Sequence, residues 1–359
     1  MKRLIPLLSL ILLSATAFAA SSNDEAFQTL ADEYVGDLTS FSMVGATLIG
    51  DHSADHELDQ VDDAARAEVL SLLKDYQAAL EQLDFEDLSR ANQIDAELLL
   101  HDIKSSIWSI EELQEWAWNP LRYIELSGDS IYGLMARDFA PLPERLRSAT
   151  SRLEQIPRFL EQARGSLDPQ RVPKIHAEKA VAQNPGLGSI IDIMIVPEMN
   201  VLSTDERARL NAAIETAKNA LAEHQTWLEE ELVPRANGNF RIGAELYDTK
   251  LAFRLNSPLS RKEVRARAEQ EYENVRNRMY EVSRKVYLEK YPMTSFPDNP
   301  DEAYKQAIIR AALEEAYQVL PPRDGIVDVA RAQLQQAIDF IVEHNIVTMP
   351  EEPVEIIIM

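Results

Sequence analysis

The sequence predicts a mainly α-helical fold, a multi-helix array with long antiparallel helices and one short terminal β-strand. Three observations carry this. Only 11 glycines occur in 359 residues, well under the usual share of about 7%. Ala, Leu, Glu, Gln and Arg, which favour helix, are abundant. Apolar residues recur every three or four positions over long stretches, while period-2 patterns are scarce.

Residues 1–19 have the layout of a secretory signal peptide. Lys2 and Arg3 are basic, Leu4 to Leu13 form an apolar run too short to span a bilayer, and Ala17-Phe18-Ala19 offers a small-x-small cleavage site. Val69, Leu72, Leu73, Tyr76, Leu80 and Leu83 then mark one helix stripe. "WNPLRY" ends a long helix, and "FAPLPERL" restarts another with Pro near its first turn. "RGSLDPQRVP" is a turn-rich connection, and "QNPGLGS" interrupts the apolar run that continues as "IIDIMIVPEM". "LSTDERARL" opens a helix with Ser203 or Thr204 as N-cap. Its stripe is Leu210, Ile214, Ala217, Leu221, Leu228 and Leu232.

After the loop "RANGNFRIG", "LSRKEV" opens a further helix with Ser260 as N-cap. That helix has a stripe of Val264, Ala268, Tyr272, Val275, Met279, Val282 and Val286. "YPMTSFPDNPDE" and "LPPRDG" are loops, and "VTMPEEPVEIIIM" closes the chain. There Pro350 and Pro353 set off the β-branched run expected to form the terminal strand.

The formal charge of −24, or −26 once Lys2 and Arg3 are cleaved away, repels phosphate backbones and disfavours nucleic acid as a partner. The acidic residues are spread, which reads as a solvated surface. No cysteine is present, so neither a disulfide nor a lipid-bearing cysteine is expected. No stretch beyond the signal peptide has the length and apolarity of a membrane span. These features predict a soluble periplasmic or secreted chain with no membrane partner after cleavage.

"GDHSADHELDQVD" is the densest group of potential ligands: Asp51, His52, Asp55, His56, Glu57 and Asp59. His52 and His56 would share one face of a helix. "HSADH" approaches the inverted zinc motif H-x-x-E-H with Asp in place of Glu, and "HELDQ" approaches H-E-x-x-H with Gln60 in place of the second His. Neither is complete, and Gly50 just before them is a helix stop. A metal site and a solvated loop or helix cap are the two readings.

His224 lies on an apolar stripe as a core histidine would, and His344 sits in a last helical turn, where a cation is favoured. His101 and His176 lack companions at ligand spacing, and the glutamates of "LEEEL" read as a solvated face. Trp108, Trp116, Trp118 and Tyr123 either line a groove for a peptide or sugar or pack where two helices meet. No nucleophile elbow, S-x-x-K box or phosphate loop is present. The residues alone therefore specify no catalytic, cofactor-binding or metal residue.

Three stretches carry a family resemblance: "RLRSATSRLEQIPRFLEQARGSL", "FRIGAELYDTKLAFRLNSPLSRKEVRARAEQEYENVRNRMYEVSRKVY" and "VTMPEEPVEI". In this order they resemble the bacterial domain-of-unknown-function family 885 over most of the chain after about residue 25. The resemblance implies a helical protein similar to zinc-dependent peptidases of the gluzincin type, with a His-Glu zinc helix following the "EPVEI" segment. The resemblance thus implies zinc as the cofactor of an intact member and a peptide as its substrate, with metal-activated water as nucleophile. No residue here matches that motif, so residues 20–359 are expected to be an N-terminal helical portion, truncated before the zinc part and inactive alone. Gly243, Tyr247 and Leu251 match the family's G-x-E-x-Y-x-x-x-L pattern, with a helix-start and packing role expected. The alternative is a non-enzymatic periplasmic binding or scaffold protein.

Overall fold

A computed structural model describes residues 22–350, Val354 and Ile356. Residues 1–19, expected to be a signal peptide, lie outside the described residues. The chain divides into two compact units, Met1–Pro258 and Leu259–Met359.

Unit 1 runs α1 (Ser22–Gly36), α2 (Leu38–Phe41), α3 (Met43–Ile49), α4 (Asp63–Glu81), α5 (Arg90–Trp108), α6 (Glu115–Trp118), α7 (Leu121–Met135) and α8 (Leu142–Ser166). It continues with α9 (Lys174–Gln183), α10 (Gly186–Ile190), α11 (Thr204–Trp227), α12 (Val233–Arg235) and α13 (Ala244–Leu255). α8 is the central beam. Its Leu146, Ala149, Leu153, Ile156, Phe159, Leu160 and Ala163 recur at helical spacing and are buried. They meet Leu210, Ile214, Ala217 and Leu221 of α11, then Leu228 and Leu232 just beyond it. Each such Leu, Ile or Phe side chain, fully buried, stabilises the fold by roughly 1.5–3 kcal/mol.

A second apolar cluster joins α1, α4 and α5 through Phe27, Leu73, Tyr76, Leu80, Ala96 and Ile103. The α4 and α11 stripes read in the sequence are therefore the core faces. Ser203 caps α11 in a reciprocal capping box with Glu206. The break expected at "WNPLRY" begins earlier. α5 ends at Trp108 in a wide π turn, and Gln114 takes a left-handed conformation (φ 50°) before α6.

Unit 2 holds α14 (Arg261–Lys290), α15 (Glu302–Tyr317) and α16 (Ile326–His344). Ser260 and Glu263 form the capping box of α14. Tyr280, Ile308 and Ile309 make its small core, with Tyr287, Phe296 and Tyr304 packed around them. The apolar stripe read along α14 is not that core. Val275 and Val282 are 43% and 60% exposed, and Tyr272 and Met279 are exposed with them. The face that packs is the neighbouring one carrying Tyr280 and Ser283.

No residue of α16 is buried. Its amides should therefore exchange hydrogen with solvent far faster than those of α8, which open only with the core. Hydrogen exchange by mass spectrometry checks this.

No strand occurs among the described residues; Pro173 and Gly238 form one isolated parallel bridge. This corrects the expected terminal strand as far as it is described. Val354 and Ile356 are in no regular element, and the rest of that run lies outside the described residues. β-branched composition is not sufficient, because a strand needs a partner edge. The described residues offer no sheet to supply one.

Candidate functional site

The 50–62 segment is a docked loop. Gly50, at φ 101°, ends α3 in the left-handed region, and the chain turns through Ser53 to His56. His52 and His56 consequently do not share a helix face. His52 stacks on Phe139 (3.6 Å between centroids, 6° between planes), and its Nδ1 lies 3.1 Å from Asp55. Asp55 also accepts from Thr47 Oγ1 at 2.7 Å. His56 is exposed, and its Nε2 lies 3.5 Å from the Glu57 carboxylate.

α8 holds this loop from below. The Arg152 side chain, 0% exposed, donates to the carbonyls of Glu57 (2.8 Å), Ser130 (2.9 Å) and Met43 (3.3 Å) and to Thr47 Oγ1 (2.7 Å). Arg158 donates to the carbonyls of Leu58 (2.7 Å) and Asp59 (3.0 Å), and Ser151 to that of His56 (2.7 Å). Asp59 in turn accepts from the Val44 amide at 2.9 Å. Among the described residues, no three His, Asp or Glu side chains converge as a metal site would require. The cluster is explained by loop anchoring, and these residues do not fit the zinc centre implied by the family resemblance.

The remaining histidines are dispersed. His101 lies 2.8 Å from the Phe253 carbonyl. His176 stacks on Trp118 at 5.9 Å, and burial lowers its pKa. His344 contacts the Phe340 carbonyl at 2.9 Å in the last turn of α16. His224 is 2% exposed and stacks on Trp227 at 5.6 Å. Burial, with Arg164 acting in the same direction, holds its pKa at about 4.

The unfolded imidazole titrates near about 6.5. Between those values the unfolded chain takes a proton that the folded chain refuses, so stability falls as pH drops from 6.5 towards 4. This residue should cost about 2 kcal/mol between pH 7 and pH 5. Urea melts at both pH values should show that loss shrinking in His224→Leu.

The tryptophans separate. Trp108 packs against Phe253 at 5.6 Å, and Trp118 donates to the Leu113 carbonyl at 2.9 Å. Trp116 donates to the Ile110 carbonyl at 3.0 Å and lines a cleft of about 330 Å³. Gly243, at φ 91°, starts α13 as expected, but Tyr247 is exposed and does not pack.

The cleft lies where the two apolar clusters of unit 1 meet. Phe41, Val69 and Ile110 line it from one cluster, and Val61, Tyr123 and Leu126 from the other. Its volume falls within the range of small-molecule sites. Arg66 lies over Trp116 at 4.1 Å and is fastened to Val61, Asp63 and Ser166. Tyr123 donates to the Trp116 carbonyl at 2.7 Å. Arg122, Glu125 and Asp129 of α7 also line the cleft, and sequence reading did not single them out. Burial, followed by repulsion from Glu125, holds the Asp129 carboxyl above its usual range. The available signal was their spacing of three and four residues on one helix face.

Comparisons with known proteins extend this picture. A family model described as bacterial protein of unknown function (DUF885) matches residues 44–359. A search of curated proteins finds no match. Among solved structures, a candidate lipoprotein of unknown function from Shewanella oneidensis is similar at 29% identity with a TM-score of 0.71. The match covers 92% of this chain and 59% of that one.

Proposed function

The chain belongs to the DUF885 family, and from that membership we propose that it is the helical portion of an extracytoplasmic hydrolase similar to zinc-dependent peptidases. In this reading unit 1 provides a ligand cleft, and the zinc-binding centre lies in a part of the family fold beyond these residues. The observation that carries the reading is the uncovered apolar surface of unit 2. Val275, Met279 and Val282 of α14 and Leu313 of α15 flank an open apolar groove, and α16 buries nothing. Apolar rows of this kind mark surfaces built to be covered. The match covers 59% of the Shewanella relative, which therefore has further chain that could do so.

Export is supported by the basic, apolar and small-residue order of the first 19 residues. The description of the relative as a candidate lipoprotein agrees with it. No helix among the described residues is long and apolar enough to cross a membrane.

Peptidase assays test the proposal. A family member that carries the His-Glu zinc helix should hydrolyse short peptides in a chelator-sensitive manner, and the 359-residue chain should not. Hydrolysis that resists chelation, or none by such a member, would count against it. A non-enzymatic binding protein is the second reading, favoured by one observation: unit 1 holds its own core and the cleft. It expects ligand binding without turnover at any length.

A further inference from the structure

We propose that the cleft of unit 1 binds a short zwitterionic peptide of about three residues, its carboxylate at Arg122 and its ammonium group at Asp129 and Glu125, a length set by the rise of α7 between them. The inference rests on the peptidase-like reading only in choosing peptides among zwitterions. The sites themselves follow from which charges in the cleft are already engaged.

Most are engaged. Arg66 is fastened to Val61, Asp63 and Ser166 and covered by Trp116. Asp59 accepts from the Val44 amide, Glu115 from Asn119 at 3.0 Å, and Gln60 from Arg158 and Gln162 at 2.7 Å each. Arg122, Glu125 and Asp129 differ: their side chains have no hydrogen bond or ion pair among the described residues.

These three follow one another along a single face of α7, at intervals of three and four residues. Seven residues of helix separate the cation from Asp129 by about 10 Å along the axis. An extended tripeptide spans about that distance at 3.3–3.6 Å per residue. Glu125 lies three residues after Arg122, yet the two form no ion pair in the structure. Nor does helix stability explain the order. Arg122 occupies the first turn of α7, where the helix dipole disfavours a cation.

The surroundings suit a ligand with charged ends and an apolar middle. Leu126 lies between the charged positions, and Trp116, Val61 and Val69 line the same cleft. Asp129 is half-buried beside a like charge, so an incoming ammonium group relieves repulsion and compensates for lost hydration together. A bound carboxylate gives Arg122 the forked, charge-assisted pairing its guanidinium favours.

Isothermal titration calorimetry on the 359-residue chain with trialanine tests the proposal. The expected result is saturable binding weakened at least tenfold by N-acetylation and at least tenfold by C-terminal amidation. Asp129→Asn should remove most of the acetylation penalty while keeping the amidation penalty. Arg122→Gln should do the reverse. Circular dichroism melts would verify that both variants fold, and the blocked peptides test the claim on the unaltered protein in any case. Absence of saturable trialanine binding, or equal affinity for free and blocked peptides, would overturn it. Because the readout is binding, its failure leaves the chelator-sensitive hydrolysis test untouched, and the converse also holds.

Discussion

Arg152→Met should lower the stability of unit 1 by about 3–5 kcal/mol, the cost of removing one partner from a buried charged network. The guanidinium is fully buried and gives four hydrogen bonds, three to main-chain carbonyls and one to Thr47. Two of those carbonyls, Met43 and Glu57, bracket the α3 helix and the loop that follows it. Burial lowers the pKa of Arg152, and the nearby buried Asp55 and Asp59 oppose that shift only in part. Methionine fills much of the volume, but it leaves these acceptors unmet and takes a cation from beside two buried carboxylates. Urea denaturation followed by circular dichroism measures the change. Arg209→Met, which breaks an exposed pair with Glu154, should leave the midpoint near wild type.

Gly238→Ala is the second large effect, expected at about 3 kcal/mol. A β-carbon at this position would stand 1.9 Å from the Arg171 carbonyl oxygen and 2.3 Å from its carbon. The obstacle is backbone, so no side-chain rotation relieves it. The two segments must part, which breaks the 2.9 Å hydrogen bond from the Gly238 amide to the Val172 carbonyl and disturbs the Pro173 start of α9. Gly165→Ala provides the contrast. Its added methyl meets nothing within 4 Å, and its position inside α8 should make the change stabilising by up to about 1 kcal/mol. Thermal melts of the two variants should shift in opposite directions.

How much of this was legible depends on which forces were local. The capping boxes at Ser203 and Ser260 are formed within four residues, and the sequence displays them whole. The α4 and α11 stripes could be read because each faces a core within its own unit. The α14 stripe has the same spacing, but periodicity reports an apolar face and not whether anything covers it. His52 and His56 looked like ligands because composition carries no direction; Gly50 and the α8 side chains determine where they point.

Arg152 shows the opposite failure. It sits at core spacing between Ala149 and Ile156, a position where a charge is anomalous, but three of its four partners are about a hundred residues away in sequence. The cleft was illegible for a related reason. Trp116 was visible as an aromatic, but the engagement of Arg66, Asp59 and Gln60 by neighbours, which leaves the α7 row free, arises only from the fold.

The central proposal is that these residues form the helical, ligand-binding part of a zinc-dependent family fold without holding the metal themselves. Metal analysis of a family member that carries the His-Glu zinc helix, beside the 359-residue chain, tests this most directly. The prediction is one zinc per molecule in the former and none in the latter. Stoichiometric zinc in the 359-residue chain, or a member with that helix free of zinc, would contradict it.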